Sequence, residues 1–257
     1  MKKIESRQNP NFKQALKFVQ DSRNFPDLVL VEGEKLIDEA LQAGACAKTF
    51  FMTARTENRF PQLHDISIEL TPSLFKELST VVSPADSICI FEKPAPPSLG
   101  EVVAKASLLV IFDRLQDPGN IGTIIRTSEA MGADAAILLH GSCSSNNSKV
   151  IRAAMGSNFR LPLFDRIDTE DLFTQLEKNN FVCICADMKG DSIVDFAFPD
   201  RSALFFGQEG SGVSEFIKNH CAMKLAIPMQ GQVESLNVAT SAAICLYEWS
   251  KQRLSRI

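Results

Sequence analysis

Short apolar runs alternate with amphipathic stretches along the first third of the chain, and this alternation predicts an α/β fold. The short runs have the length of buried strands, whereas the longer stretches repeat apolar residues at helical spacing. Six elements are predicted in this part: helices at residues 11–19 and 34–43, and strands at 28–31, 49–52, 66–70 and 88–91. We expect these elements to form a small α/β/α sandwich.

Three prolines interrupt this pattern in the segment Lys93-Pro-Ala-Pro-Pro-Ser-Leu-Gly100. Proline fixes φ and cannot donate a backbone hydrogen bond, so these residues end both helix and strand and stiffen a linker. We therefore predict a domain boundary here, with a first domain at residues 1–95 and a second at residues 96–257.

In the second domain, three loops rich in glycine, proline, asparagine and acidic residues each lead toward a helical pattern. Two of them follow the continuous apolar runs 108–112 and 203–206, which are typical of strands buried on both faces of a parallel sheet. The third opens the helical pattern at residues 238–254. Ligands of open α/β sheets bind where such loops leave the carboxyl ends of the strands, so the pattern predicts a ligand site.

The glycines of the second loop do not have the spacing of a dinucleotide site. Gly207, Gly210 and Gly212 form G-x-x-G-x-G rather than G-x-G-x-x-G, and Glu209 between them would repel a pyrophosphate. The phosphate loop G-x-x-x-x-G-K-[ST] does not occur in the chain. The sequence therefore favours a nucleoside-type ligand over NAD or ATP. A purely structural interpretation is the alternative, with Ser235 as a helix N-cap, Asn120 as a turn residue and Glu209 as a capping carboxylate.

The three loops, in this order, resemble the three motifs of the SpoU (TrmH-type) RNA 2′-O-ribose methyltransferases of the SPOUT superfamily. The first is Asp117-Pro-Gly-Asn-Ile-Gly-Thr-Ile-Ile-Arg126, the second is Phe206-Gly-Gln-Glu-Gly-Ser-Gly212, and the third runs from Ile227-Pro-Met-Gln-Gly to Ser235-Leu-Asn237. The segment Arg152-Ala-Ala-Met-Gly156 is also similar to the family, although Ala154 stands where a serine is common.

The resemblance implies a parallel-sheet α/β catalytic domain whose C-terminal part threads a trefoil knot between about residues 206 and 237. It also implies that S-adenosyl-L-methionine binds in the knot, with contacts from Gly207, Ile227 and Leu236. The first domain is more weakly similar to the small α/β/α ribosomal-protein-like RNA-binding domain that precedes many SpoU domains. That similarity rests on the segments 7–10 and 31–41.

By the same resemblance, five motif residues act at a ribose 2′-hydroxyl: Arg126, Asn120, Glu209, Ser235 and Asn237. Arg126 is the candidate for activating the hydroxyl. Because an arginine is effectively always protonated, this role requires an exceptional environment; otherwise the guanidinium orients the phosphate beside the ribose. Asn120 is expected to hold the ribose or the loop, Glu209 to fix the motif loops, and Ser235 with Asn237 to line the methyl-transfer pocket. No metal is required.

The net charge of −4 is not that of a bulk nucleic-acid binder, but the basic residues crowd at the N-terminus. The first 23 residues contain only two acidic residues against six basic ones: Lys2, Lys3, Arg7, Lys13, Lys17 and Arg23. From the resemblance we expect Arg7, Lys13 and Arg23 to contact RNA phosphates. A solvated helix face is the alternative interpretation.

Composition and cysteine spacing indicate a cytoplasmic protein with reduced thiols. Apolar residues make up 45% of the chain, no apolar run approaches the roughly 18 residues of a membrane span, and the N-terminus lacks the apolar region of a signal peptide. The seven cysteines have no metal-binding spacing. The resemblance adds a homodimer packed through the catalytic domain. The C-terminal helix carries a small-residue apolar stripe suited to close packing, at Leu236, Ala239, Ala243, Leu246 and Trp249.

Three hypotheses of different class follow. The leading one is an S-adenosylmethionine-dependent RNA 2′-O-methyltransferase, with ribosomal RNA favoured over transfer RNA because a basic arm precedes a ribosomal-protein-like domain. The second is a catalytically inactive RNA-binding SPOUT protein, which the intact motif residues disfavour. The third is an unrelated nucleotide-dependent enzyme, which the absent phosphate loops disfavour.

Overall fold

The computed structural model describes residues 2–21, 25, 27–56, 59–93, 97–233 and 235–255. The chain divides into two compact units, Met1–Ala95 and Pro96–Ile257. Proline-rich residues 94–96 at the division lie outside the described residues. No helix of the described residues is long and apolar enough to cross a membrane.

The first unit contains a five-stranded mixed sheet with helices packed against it. Its elements are β1 (Lys2–Ile4), α1 (Pro10–Gln20), β2 (Leu28–Glu32), α2 (Glu34–Gln42), β3 (Ala47–Met52), β4 (Ser67–Leu70), α3 (Pro72–Leu78) and β5 (Ser87–Glu92), with short 3-10 helices at Ala54–Thr56 and Pro61–Ile66. The strand order is β1-β4-β3-β5-β2, with β4 parallel to both β1 and β3, and β5 antiparallel to both β3 and β2. The predicted α/β class is confirmed, and β1 and α3 are elements that the sequence pattern did not predict.

The second unit is a six-stranded parallel sheet covered by helices on both faces. Its elements are α4 (Leu99–Lys105), β6 (Leu108–Phe112), α5 (Pro118–Ala130), β7 (Ala135–Leu139), α6 (Ser148–Ala154), β8 (Leu163–Ile167), α7 (Thr169–Lys178), β9 (Val182–Ser192), β10 (Ser202–Phe206), α8 (Glu215–His220), β11 (Met223–Ala226) and α9 (Val238–Leu254), with a short 3-10 helix at Ser157–Phe159. The strand order is β11-β9-β10-β6-β7-β8.

Two apolar cores lie on opposite sides of this sheet. One contains side chains of α5, α6 and α9, and the other contains side chains of α4, α7 and α8. Every residue of β6 and β10 is buried, as expected for continuous apolar strands in the middle of a parallel sheet. The predicted parallel-sheet fold of this unit is confirmed, whereas the trefoil knot stays a prediction.

The neighbouring strands β6 and β10 bring two of the three predicted loops together at their carboxyl ends. The backbone N–H of Asp113, just after β6, donates to the carbonyl of Phe206 at the end of β10 (2.9 Å). The buried carboxylate of Asp113 accepts a hydrogen bond from the backbone N–H of Ser214 (2.6 Å), which precedes α8. The two loops therefore leave the sheet side by side, although about 90 residues separate them along the chain.

Candidate active site

Asn120 is positioned by the first turn of α5. Proline at the first helical position is preorganised for helix geometry, and the N-cap residue Asp117 accepts a hydrogen bond from the backbone N–H of Asn120 (2.7 Å). The Asn120 side chain extends to the second loop, where its Nδ2 donates to Oε1 of Glu209 (2.6 Å). One side-chain bond thus connects the first and second predicted motifs.

Asn237 connects the third motif to the other two. Its Nδ2 donates to Oε1 of Glu209 (2.9 Å) and to Oδ1 of Asn120 (3.0 Å). Its Oδ1 accepts from the backbone N–H groups of Ala239 (2.9 Å) and Thr240 (3.3 Å). An amide oxygen is needed for the helix donors and an amide nitrogen for the carboxylate, so these partners require this orientation of the side chain.

These contacts correct the assignment of the helix cap. The structural interpretation of the sequence made Ser235 the N-cap of the last helix, and that is wrong because Asn237 is the N-cap of α9. Asparagine caps helices as well as serine does, and α9 begins two residues later than a Ser235 cap would place it. Ser235 is exposed and lines the adjacent cleft.

Glu209 accepts hydrogen bonds from side-chain amides. The Asn120 and Asn237 amides converge on a single carboxylate oxygen, which as an ionised group can only accept. From the sequence, we expected Glu209 to hold the loops through main-chain N–H groups. In the structure it joins the three motif loops through two asparagine side chains instead.

Gly207 is required by its own loop. A Cβ built at Gly207 would lie 2.1 Å from the carbonyl oxygen of Gly212, so a larger residue cannot occupy this position without moving the backbone. The backbone of Gln208 and Gly212 exchanges two hydrogen bonds (3.0 and 2.9 Å), and Gly210 and Gly212 have positive φ. The sequence suggested that Gly207 is a glycine because a cofactor approaches its backbone closely. In the structure the backbone of Gly212 already makes such a close approach, and cofactor contact by Gly207 stays a prediction.

A cleft of about 930 Å³ lies beside the Asn120–Glu209–Asn237 network. All three residues predicted to bind the cofactor line it, with half-buried Ile227 and Leu236 contributing apolar surface and Gly207 contributing backbone. Glu209, Ser235 and Asn237 line it too, so six of the eight residues singled out as catalytic or cofactor-binding share the cleft through the second and third loops. The volume is within the roughly 300–1,000 Å³ that is typical of small-molecule sites.

Arg126 lies apart from this network. It is an exposed residue on α5, and it is neither part of the hydrogen bonds just described nor among the residues that line the cleft. Within the described part of the chain, Arg126 has no hydrogen-bond or ion-pair partner, so all donors of its guanidinium remain available. Six residues along a helix separate it from Asn120, which places the two side chains on different faces of α5.

The basic residues of the first unit differ in their availability. Arg7 forms an ion pair with Glu77 (2.9 Å), and Lys3 forms one with Glu5 (3.0 Å). Lys13 is exposed on α1 and has no acidic partner among the residues that the structure describes. Arg23 lies outside the described residues.

Two residues near the site were given no role from the sequence. Asp113 is the buried carboxylate that ties the end of β6 to Ser214. Gly122 of α5 faces α6, where a Cβ would lie 2.5 Å from both the Val150 carbonyl oxygen and the Ala153 Cβ. The spacing of Gly122 two residues after Asn120 was visible in the sequence, but the partner helix was not. Across the described ranges, no group of three His, Cys, Asp or Glu residues is arranged to hold a metal ion.

The chain is similar to known methyltransferases over nearly its whole length. The model of the SpoU rRNA Methylase family matches residues 107–247. The 23S rRNA (guanosine(2553)-2′-O)-methyltransferase RlmP of Bacillus subtilis is 32% identical over 252 residues, which cover 96% of this chain and 98% of that protein. A 23S rRNA (uridine(2479)-2′-O)-methyltransferase of Streptomyces viridochromogenes is 31% identical over 227 residues, covering 86% of this chain and 76% of that protein.

Two solved structures have the same fold throughout. The SpoU methyltransferase AviRb from Streptomyces viridochromogenes, crystallised with the cofactor AdoMet, has a TM-score of 0.83 at 29% identity and covers 96% of this chain and 99% of its own. The AdoMet-bound rRNA methyltransferase from Sinorhizobium meliloti has a TM-score of 0.85 at 26% identity and covers 98% of each chain.

Proposed function

The chain belongs to the SpoU rRNA methylase family, and from this premise we propose that it transfers a methyl group from S-adenosyl-L-methionine to a ribose 2′-oxygen of ribosomal RNA. The observation that carries the proposal is the network in which Glu209 accepts from Asn120 (2.6 Å) and Asn237 (2.9 Å). It joins all three sequence motifs at the edge of one cleft, and relatives with similar sequences are named 23S rRNA 2′-O-methyltransferases.

The cleft fits S-adenosyl-L-methionine. Ile227 and Leu236 supply apolar surface for an adenine, and the Gly207 loop presents backbone groups that can bond to its edge. The bound cofactor supplies a sulfonium methyl group as the electrophile. We assign adenine binding to these three residues, and the methyl-transfer side of the cleft to Ser235 and Asn237, both of which line it.

Arg126 is proposed to bind the RNA. Its exposed, unpartnered guanidinium is suited to a phosphate beside the target ribose, since the planar fork can donate two parallel hydrogen bonds. The fork also keeps the ribose oriented, which makes Arg126 essential whether it acts as a base or as a phosphate ligand. Asn120, held by Glu209, would position the ribose from the same helix.

We also propose a homodimer formed through the second unit. Three residues of the stripe expected for helix packing, Ala239, Leu246 and Trp249, are buried in the core of this unit. The outer face of α9 instead presents large apolar side chains, with Tyr247 60% exposed and Leu254 70% exposed. These exposed apolar side chains support the dimer, because contact with a second copy would remove them from water. The trefoil knot and a cytoplasmic location complete the proposal, the latter supported by seven free cysteines.

The proposal is tested by methyl transfer. Purified protein, tritiated S-adenosyl-L-methionine and ribosomal or transfer RNA from cells lacking the gene should give label in ribosomal RNA, and mapping of 2′-O-methyl groups should locate one missing site. Label in transfer RNA alone would contradict the substrate assignment, and cofactor binding without label in either RNA would indicate an inactive RNA-binding protein.

Arg126 variants separate the two possible roles of the guanidinium. Arg126→Ala should abolish labelling while calorimetric titration shows unchanged cofactor binding, because Arg126 does not line the cleft. An active Arg126→Lys protein would show that a positive point charge suffices and that neither a base nor a bidentate fork is needed. The control is Lys178→Ala, which removes an exposed cation from α7, a helix that packs on the opposite face of the sheet from α5.

A further inference from the structure

A pocket of about 350 Å³ opens in the first unit, and the proposed chemistry does not use it. Its floor consists of buried apolar side chains from α1 and three strands: Phe18, Phe51, Ile68 and Ile90. Small-molecule sites typically measure roughly 300–1,000 Å³, so this pocket is at the small end of that range. It has room for one planar ring system.

Phe25 provides an aromatic wall. Its ring packs edge-on against Phe18, with centroids 5.4 Å apart and an interplanar angle of 84°. Phe25 is only half-buried, so part of its ring surface faces the pocket opening that it lines. Aromatic rings in such positions are surfaces on which unstacked RNA bases pack.

Two amide side chains line the same pocket from α1. Asn11 and Gln14 are exposed and lie one helical turn apart, on the face that also carries Phe18. Within the described ranges, neither side-chain amide has a hydrogen-bond partner. A primary amide offers two donors and an acceptor, which is the combination that reads the edge of a base.

Charged groups around the opening suit a base flanked by phosphates. Lys2 lines the pocket without an acidic partner in the described residues. Lys17 does not line it but is exposed on α1 one turn beyond Gln14, which does. Lys48 also lines it but is paired with Glu92 (2.5 Å). The carboxylate of Asp65 at the rim can accept from base N–H groups and repels a phosphate, so the pocket itself favours the base.

We propose that this pocket binds a single unstacked nucleobase of the RNA substrate. The inference rests on the proposed function for the presence of RNA. Phe25 stacks on the base, Asn11 and Gln14 bond to its edge, and Lys2 and Lys17 contact the adjoining phosphates. The first unit then selects RNA by an accessible base in addition to backbone charge.

The test compares single-stranded RNA with a strand that has no bases. Fluorescence anisotropy of the full chain is measured with labelled unstructured 12-nucleotide RNAs and with an abasic ribose-phosphate strand of the same length. The full chain should bind at least one base-containing strand roughly tenfold more tightly than the abasic strand, as expected for one stacked base. The double change Asn11→Ala with Gln14→Ala, and separately Phe25→Ala, should reduce that ratio.

The control is Gln20→Ala, which removes an amide from the opposite face of the same helix, outside the pocket lining. It should leave the ratio unchanged. Because Asn11 and Gln14 are exposed, their double variant stays informative if Phe25→Ala unfolds the unit. Equal affinity of the full chain for base-containing and abasic strands would overturn the proposal, as would a double variant that keeps the full ratio.

The methyl-transfer assay separates this proposal from the function on which it rests. Loss of base preference in the double variant, with no methylation of any RNA by the unaltered protein, would retain the pocket and reject the enzyme. Normal methylation by the unaltered protein, with a double variant that keeps the full base preference, would retain the enzyme and reject the pocket.

Discussion

Replacing Gly122 by alanine should destabilise the second unit through steric contacts with α6. The added Cβ would lie 2.5 Å from the Ala153 Cβ, 2.5 Å from the Val150 carbonyl oxygen and 3.0 Å from the Ala154 backbone nitrogen. None of these atoms can rotate away, since all belong to the backbone or to a Cβ of α6. Carbon atoms prefer separations of about 3.5–4.0 Å, so α5 and α6 would have to move apart by roughly 1 Å.

The magnitude follows from two opposing effects. Overpacking of a methyl group costs roughly 1–3 kcal/mol, whereas glycine to alanine inside a helix gains about 0.5–1 kcal/mol in intrinsic preference. We therefore expect the free energy of unfolding to fall by about 1–2 kcal/mol. For a unit of this size, each kcal/mol lowers Tm by roughly 2–4 °C, which gives a fall of about 2–8 °C.

Gly100→Ala is the matched control, because it is the same substitution in α4 of the same unit. Among the described residues, the nearest atom that the added Cβ would meet outside its own helix is Oε1 of Gln175 at 3.9 Å, an ordinary contact, so Gly100→Ala should be as stable as the unaltered protein or slightly more stable. Differential scanning calorimetry would measure both. A Gly122→Ala protein with a Tm equal to or above that of Gly100→Ala would refute the steric argument.

Three further outcomes are expected. Asn237→Ala should lower the free energy of unfolding by about 0.5–2 kcal/mol through loss of the α9 cap, and it should abolish methylation. Asn237→Asp should keep the cap but lose activity, because it places a second carboxylate beside Glu209. Equal Tm values for the two variants would contradict the cap assignment. In native protein at pH 8, iodoacetamide should modify exposed Cys46 and spare Cys245, because burial raises the pKa of the Cys245 thiol to about 12; mass spectrometry showing equal rates would contradict this. Lys13→Ala should make the slope of log K for RNA binding against log salt concentration shallower by roughly 0.7–0.9. Arg7→Ala should change that slope by less, because Glu77 already pairs with Arg7. Equal slopes for the two variants in filter binding would argue against this difference.

Much of the fold follows from local chemistry that is visible in the sequence. The apolar runs at residues 108–112 and 203–206 are β6 and β10 with the same or nearly the same bounds, because strands buried on both faces need unbroken apolar residues. Residues 238–254 form α9, whose bounds match the helical pattern. The residues of the three loops resemble the motifs of a known family, and that resemblance indicated the family.

The tertiary structure alone decided which loops meet and which groups the side chains bond. The pairing of β10 with β6, across about 90 residues, brings Glu209 to Asn120, and no local pattern encodes that distance. Asn237 rather than Ser235 caps α9; both residue types are good caps, so the sequence alone did not distinguish them.

The roles of individual basic residues and glycines also depend on partners that only the fold provides. Arg7 and Lys13 look alike in the sequence, yet folding brings Glu77 to one of them. Gly207 and Gly122 are needed because Gly212 and α6 approach them closely. A residue type and its spacing are properties of the chain, so the sequence determines them; the neighbour across a loop or a helix interface exists only after distant segments have packed, so only the folded structure supplies the partner that gives each residue its role.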